Sequence, residues 1–448
     1  MWEERFDTTR FVPGHGDPGA SPATLQRMRI AVIGCGYLGA VHAACMAEIG
    51  HDVVGLDVDE DRVSRLARGE APFHEPGFPE ILARGIAAGR LGFTTDPGRL
   101  ADADLIFIGV GTPQLSGRLG ADLSQVDAAV ETVVEHVNPR PGSSVLVAGK
   151  STVPVGTAQR LAERLKASGK NFLLAWNPEF LREGHAVADT LHPDRIVYGL
   201  PEDRSTGDRA KAILDACYAP MLAEDIPLVV ANLPTAELVK VAANAFLATK
   251  ISFINAMAEL CDATGGDVTR LAEAIGHDDR IGGKFLQAGI GFGGGCLPKD
   301  LRAFMARAGE LGIDQALTFL REVDAINLRR RDHAVTLTEK AVAGRLAGRK
   351  VAVLGITFKP DTDDLRDSPV LEVALRLRDA GAVVTVHDPR GLAGLSRHHP
   401  DLRAQPDALR ALEGAELVIL GTEWKELTDL DPAAAAARAA RPVLIDAR

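Results

Sequence analysis

Residues 29–39 read Arg29-Ile30-Ala31-Val32-Ile33-Gly34-Cys35-Gly36-Tyr37-Leu38-Gly39. A short apolar run gives way to glycine at positions 34, 36 and 39, and a helical stretch continues to Gly50. A GxGxxG pattern alone is weak. Between a strand and a helix it forms a tight turn whose backbone approaches a pyrophosphate, and the helix N-terminus favours the anion. Gly34, Gly36, Tyr37, Leu38 and Gly39 are therefore candidate cofactor-binding residues. The next apolar run, Val53-Val54-Gly55-Leu56, ends at Asp57, 23 residues after Gly34. A carboxylate there accepts from the adenosine ribose hydroxyls and repels a 2′-phosphate, so the pattern predicts NAD rather than NADP.

Outward from this turn, short apolar runs alternate with helical stretches, as in a parallel α/β sheet. The predicted strands are 29–34, 53–58, 105–109, 145–148, 172–175 and 196–199. Gly109-Val110-Gly111-Thr112-Pro113 is a glycine turn after a buried strand, suited to the far side of the same crevice. Thr235 to Thr264 then lacks Gly and Pro and carries apolar residues at helical spacing. A second helical stretch is expected over 299–342, broken near Gly309–Gly312. From Arg349, three runs, KVAVLGI, VVTVHD and LVILGT, predict a second, smaller sheet. The expected units are a mobile extension over 1–27, an NAD-binding domain over 28–215, a central helical domain over 216–330 and a C-terminal α/β domain over 331–448.

The chain has 61 acidic and 50 basic residues, a net charge of −11. That balance argues against nucleic-acid partners, and any anionic ligand needs local basic groups. Five scattered cysteines offer neither a CxxC nor a zinc-like spacing, which is read as free thiols in a cytoplasmic enzyme without a metal site. No apolar run is read as long enough to cross a bilayer.

The stretch richest in chemistry is Phe292-Gly293-Gly294-Gly295-Cys296-Leu297-Pro298-Lys299-Asp300. Three glycines leave Cys296 uncovered, and a helix starting near Pro298 would favour its thiolate. Cys35, Cys45, Cys217 and Cys261 are expected in the core. Trp176-Asn177-Pro178-Glu179-Phe180-Leu181-Arg182-Glu183-Gly184 follows a strand, where open sheets bind ligands. Glu179 and Glu183 are four apart and could share a helical face, one serving as base for water. Lys240 and Asn244, also four apart on the long helix, can supply donors to an oxyanion. Phe358-Lys359-Pro360-Asp361, with Arg366 nearby, can clamp a base and phosphate. The run Arg329-Arg330-Arg331 is read as a solvated helix face.

Together these motifs resemble the UDP-glucose/GDP-mannose dehydrogenase family. The likeness covers about residues 28–448 and rests on GCGYLG, Glu75-Pro76-Gly77, GVGTP, KSTVPVGT (150–157), NPEFLREG, HPDRIV (192–197), RIGGKFLQAGIGFGGGCLPKD (280–300) and GITFKPDTDDLRDSP (355–369). Phe78 stands where the family pattern often has Leu, and the preceding Ala71-Pro72-Phe73-His74 is also unusual. The resemblance implies a Rossmann-like NAD domain, a long central helix with a helical dimerisation core, and a C-terminal Rossmann-like domain for a UDP-sugar. It implies that Asp57 and Arg62 hold the adenosine ribose, and that Val110, Gly111, Thr112, Thr152, Glu183, Lys299 and Arg366 line the dinucleotide. Glu179, Phe180, Leu181, Lys240, Asn244, Phe292, Gly293, Phe358 and Lys359 would meet the substrate. Arg280 would reach the substrate of a neighbouring subunit, which implies a homodimer or larger homo-oligomer.

The implied reaction oxidises a primary alcohol to a carboxylate. Cys296 captures the aldehyde, Lys240 and Asn244 stabilise the tetrahedral oxygen, and hydrolysis follows with Glu179, Thr152 and Asp300. UDP-glucose is the expected substrate. Alternatives are GDP-mannose, a UDP-N-acetylhexosamine, a two-electron hydroxyacid dehydrogenase that needs no thiol, and a silent nucleotide-sugar sensor.

Overall fold

The computed structural model describes residues 27–342, 344–441 and 443–448. All of the expected extension except Arg27 lies outside them. The N-terminal sheet has eight strands: β1 (Arg29–Ile33), β2 (Asp52–Leu56), β3 (Leu91–Thr94), β4 (Leu105–Ile108), β5 (Val145–Gly149), β6 (Phe172–Trp176), β7 (Ile196–Leu200) and β8 (Leu228–Asn232). Their order is β3-β2-β1-β4-β5-β6-β7-β8. Side chains alternate between two cores. Ile30, Val32, Leu105 and Phe107 enter one; Ala31, Ile33, Ile106 and Ile108 enter the other. Both faces are buried, which is why these strands read as unbroken apolar runs.

Two features depart from the expected parallel sheet. β6 and β7 pair antiparallel, so β7 and β8, parallel to each other, run against the rest. β8 also joins this sheet from beyond the expected boundary at residue 215.

The long helix spans Leu233–Thr264. Asn232 caps its start by accepting from the Thr235 amide at 3.1 Å, and Gly265 ends it at φ 76°. By length and composition this helix is apolar enough to cross a membrane, contrary to the sequence reading that no run is. Part of its apolar surface packs in the protein interior. It packs along the helices Leu297–Glu310 and Thr318–Ala341, and Glu237, Lys240, Asn244 and Asn255 are buried along it. Ala245, Ala248, Phe292, Leu301, Leu320 and Val323 form the core between these helices.

The arginine run on Thr318–Ala341 is not a solvated face. Only Arg329 is exposed. Arg330 donates to the Gly289 carbonyl at 3.0 Å, and the buried Arg331 holds Asp367, at 2.9 Å, and Glu372 of the C-terminal domain. A buried guanidinium must be paired, and here the pairing ties that helix, which runs unbroken across the expected boundary at residue 330, to the sheet domain that follows it.

The second sheet comprises β9 (Lys350–Leu354), β10 (Val383–His387), β11 (Arg403–Ala404), β12 (Leu417–Leu420) and β13 (Leu444–Asp446). It is parallel, in the order β11-β10-β9-β12-β13. The loop leaving β9 packs on the glycines before Cys296, in the central domain.

Candidate active site

At the glycine turn, Gly39 admits no side chain: a Cβ there would lie 1.8 Å from the Gly34 carbonyl oxygen. Gly36 is the opposite case, with no atom within 4 Å of a Cβ position. It also begins the helix Tyr37–Glu48 without a side-chain cap. Open backbone at an uncapped helix N-terminus fits a pyrophosphate. Asp57 is buried at the end of β2, where it accepts from the Cys35 amide at 2.7 Å and from Arg62 Nη1 at 3.0 Å. Asp57 and Arg62 therefore stand together beside the turn, as an adenosine ribose site needs. The helix that follows is capped by Asp59, not Asp57. A Cβ on Gly34 would meet Val110 at 2.8 Å, so the two glycine turns, with Gly111 beside Gln125, face one another.

Tyr37 donates to the Glu75 carboxylate. The amide of Gly184 donates to Glu75 Oε2 at 2.7 Å. Phe73 lies 4.7 Å from Tyr37 and stacks on the fully buried Phe78 at 5.1 Å, centroid to centroid. The two unusual positions, 73 and 78, are thus partners in one aromatic stack.

The chemistry-bearing side chains converge on Cys296, which precedes the helix Leu297–Glu310 without a side-chain capping bond and retains exposed surface. The other four cysteines are buried, as expected. Asp300, one turn on, accepts from Asn244 Nδ2 at 2.7 Å and Lys299 Nζ at 2.6 Å. Lys240 Nζ pairs with Glu179 Oε1 at 2.9 Å, both nearly buried. The other oxygen of Glu179 accepts from the Leu181 amide at 2.7 Å. Phe180 lies 5.8 Å from the Lys240 ammonium and stacks under Arg195 at 3.8 Å. Thr112 donates to the Thr152 carbonyl at 2.7 Å, and Thr112, Thr152, Val241, Lys299 and Asp300 line one cavity.

Burial works against the charge of Lys240, but Glu179, Cys296 and Asp300 outweigh it and hold the ammonium above its usual range. Cys296 is pushed up to about 12, first by burial and then by Asp300, with Lys240 and Lys299 opposing. Its own solvent contact works against that rise. Burial and Asp300 thus favour the thiol, against the helix N-terminus and the two lysines, which favour the thiolate.

The three glycines do more than uncover the cysteine. A Cβ on Gly293 would lie 2.3 Å from the Asp367 carbonyl, one on Gly294 2.8 Å from the Phe358 ring, and one on Gly295 2.4 Å from the Arg366 guanidinium. The loop after β9 lies directly on them. Arg366 also reaches Glu183 at 3.1 Å and Asp364. Burial and Asp364 push Glu183 up to about 7, with Arg366 and Lys359 opposing. Burial lowers Lys359, opposed by Glu183.

Glu179 and Glu183 do not share a helical face, because residues 177–184 form no helix. Pro178 and the turn at Glu183–Gly184 send one to Lys240 and the other to Arg366. Phe292 is not in the cleft: its side chain is core, and Asn327 binds both its amide (2.7 Å) and its carbonyl (3.0 Å). Arg280 is 88% exposed and paired with Asp278. Sequence reading passed over Lys150, Glu75 and Asp367, which are buried or interdomain partners of site residues. Only their places within the quoted motifs marked them.

Comparison with known proteins agrees with this arrangement. Residues 28–222, 234–329 and 352–448 match, in turn, the NAD binding, central and UDP binding domains of the UDP-glucose/GDP-mannose dehydrogenase family. The chain is 41% identical to a UDP-glucose 6-dehydrogenase of Rhizobium meliloti, over 94% of this chain and 95% of that one. It is 42% identical to one of Pseudomonas aeruginosa, over 94% and 93%. A solved UDP-glucose dehydrogenase from the archaeon Pyrobaculum islandicum superposes with a TM-score of 0.87 at 40% identity, covering 96% of both chains. Three domain matches in order, around one cysteine-centred cleft, establish that the chain belongs to the UDP-glucose/GDP-mannose dehydrogenase family.

Proposed function

We propose that this chain is an NAD-dependent UDP-glucose 6-dehydrogenase that carries out a four-electron oxidation to UDP-glucuronate through a covalent Cys296 intermediate. The observation that carries this reading is the placement of two buried polar groups, Glu179–Lys240 and Asn244–Asp300–Lys299, around one exposed cysteine. The relatives named UDP-glucose 6-dehydrogenase support the substrate. NAD fits the open backbone at Gly36 beside Asp57 and Arg62; when bound, it accepts the hydride removed from the sugar carbon in each oxidation.

The chain's own residues do the rest. Lys240 and Asp300 hold the water that takes the alcohol proton. As the Cys296 sulfur bonds to the aldehyde carbon, its thiol proton passes through the held water to the former carbonyl oxygen, giving a thiohemiacetal. Lys240 and Asn244 stabilise the oxygen of that centre. After the second oxidation the product is a thioester on Cys296. Glu179, freed from Lys240, takes a proton from water as it attacks, with Thr152 and Asp300 positioning it; the thiolate leaves and is reprotonated. Covalent retention keeps the aldehyde from escaping. Phe358 and Lys359 of the C-terminal domain, with the backbone of Phe180, Leu181 and Gly293, hold the UDP-sugar.

The working unit is a homo-oligomer. Phe246, Phe253 and Leu260 recur every seven residues on the long helix and are 67%, 49% and 57% exposed. Seven residues is nearly two helical turns, so they form one apolar stripe, as a helix–helix seam requires. Arg280, 88% exposed, can reach the substrate of a second copy by exchanging its Asp278 partner. Five free cysteines fit a reducing cytoplasm.

The test is stoichiometry. With excess NAD and limiting UDP-glucose, GDP-mannose or UDP-N-acetylglucosamine in separate reactions, two NADH should form per UDP-glucose and little from the others. One NADH per sugar would contradict the thioester route, and a preference for another sugar would contradict the substrate.

A further inference from the structure

One buried cation takes no part in the mechanism above. Lys150, at the end of β5, is buried within the first domain. Among the described residues its acceptors both belong to Asn177, the side-chain oxygen at 2.9 Å and the carbonyl at 3.4 Å, and no carboxylate pairs with it. The rings of Phe107 and Tyr218 lie 5.4 and 5.9 Å away. Asn177 is itself saturated. Its side-chain oxygen also accepts from Tyr218 at 2.7 Å, its Nδ2 donates to Val197 O at 2.9 Å, and its amide donates to Gly149 O at 2.8 Å. It thus joins β5, β6 and β7 at the C-terminal end of β6, where the chain leaves toward Glu179, two residues on.

A buried ammonium without a counter-ion is costly. A methionine would fill the same space without that cost, so the charge itself calls for an explanation. Lys150 attracts Glu179 across the turn and repels Lys240.

We propose that Lys150 is a positioning residue for Glu179: its ammonium fixes Asn177 and, through the Asn177-Pro178-Glu179 turn, sets the carboxylate that pairs with Lys240. The proposal rests on the functional reading above for the step affected, the hydrolysis assigned to Glu179. The groups facing Lys150 are Glu179 in the turn, Lys240 on the long helix, His42 on the helix Tyr37–Glu48, and Cys217 and Tyr218 at the end of the helix Arg204–Cys217. Burial holds His42 neutral and the Cys217 thiol protonated. Burial also brings Lys150 down to about 8, so its charge is present at neutral pH and lost as pH rises through that value.

The experiment is Lys150→Met. The variant should melt no lower than the parent, because an unpaired buried charge has been replaced by an apolar side chain of similar shape. Its crystal structure should show the turn displaced and the 2.9 Å Lys240–Glu179 contact broken. In single-turnover reactions with NAD and UDP-glucose, the NADH burst should persist while release of the acid slows at least tenfold. In the parent the hydrolysis rate should fall above about pH 8; in the variant it should be low and flat there. A variant whose turn superposes on the parent and which hydrolyses at the parent rate overturns the proposal. If the parent itself yields no acid from UDP-glucose, the functional reading falls, and the position of the turn in the variant crystal still decides the role of Lys150.

Discussion

Cys296 is crowded enough to stay protonated yet open enough to be reached. Burial and Asp300 raise it to about 12 against the pull of Lys240 and Lys299. Below that value the thiolate fraction, and so the reactivity, grows roughly tenfold per pH unit. Alkylation of the free enzyme by iodoacetamide, followed at the Cys296 peptide by mass spectrometry, should be slow at pH 7 and still rising at pH 10. A plateau below pH 9 would mean that the two lysines prevail. The cysteine's identity was legible from its glycines and from Pro298; its protonation was not, because Asn244, Asp300 and Lys240 meet only after the long helix packs against the helix Leu297–Glu310. The same limit governs Glu179 and Glu183. Their spacing suggested one helical face, yet Pro178 and tertiary partners kept the segment extended and sent the two carboxylates apart.

Among the elements, the glycine run 293–295 is a packing surface for the loop after β9. Gly293 faces the backbone carbonyl of Asp367 at 2.3 Å from a Cβ position, and backbone cannot swing aside. Gly295 faces only the flexible end of Arg366. Gly293→Ala should therefore cost about 1–3 kcal/mol by overpacking and force the domains apart, whereas Gly295→Ala should melt near the parent and weaken NAD binding by displacing Arg366. Thermal melts and NAD titrations separate the two; equal melting points would contradict the packing. The strands that sequence reading found, such as β1 and β4, are buried on both faces and announce themselves by unbroken apolar runs. Those it passed over, β3, β8, β11 and β13, are the edge strands of the two sheets, where pairing with a neighbour decides the matter more than composition. The long helix shows the converse. Its Asn232 start and Gly265 stop match its pattern closely, but its apolar character alone would equally suit a membrane. Only the buried Glu237, Lys240, Asn244 and Asn255 show that it is lined by protein.

For the whole molecule, three domains meet at one cleft, held by Arg331 to Asp367 and Glu372 and by Arg366 to Glu183. The three textures of the sequence anticipated this division; the reversed β7–β8 pair and the buried arginines were hidden, since both depend on contacts distant in the chain. Among the described residues, Phe246, Phe253 and Leu260 form an exposed apolar stripe on the long helix. Phe253→Glu places a charge at its centre and should reduce the assembly to monomers, read by light scattering. Activity should fall with it, because Arg280 then has no second cleft to serve. An unchanged mass would show that the subunits, if they associate, do so through another face.

The covalent role of Cys296 is tested most directly by the intact mass of Glu179→Gln after mixing with UDP-glucose and excess NAD. With the hydrolytic base removed, the protein should gain the mass of one UDP-hexuronyl group, located on the Cys296 peptide, and a Cys296→Ser, Glu179→Gln double variant should gain none. An unmodified protein accompanied by free aldehyde or acid would contradict the thioester route.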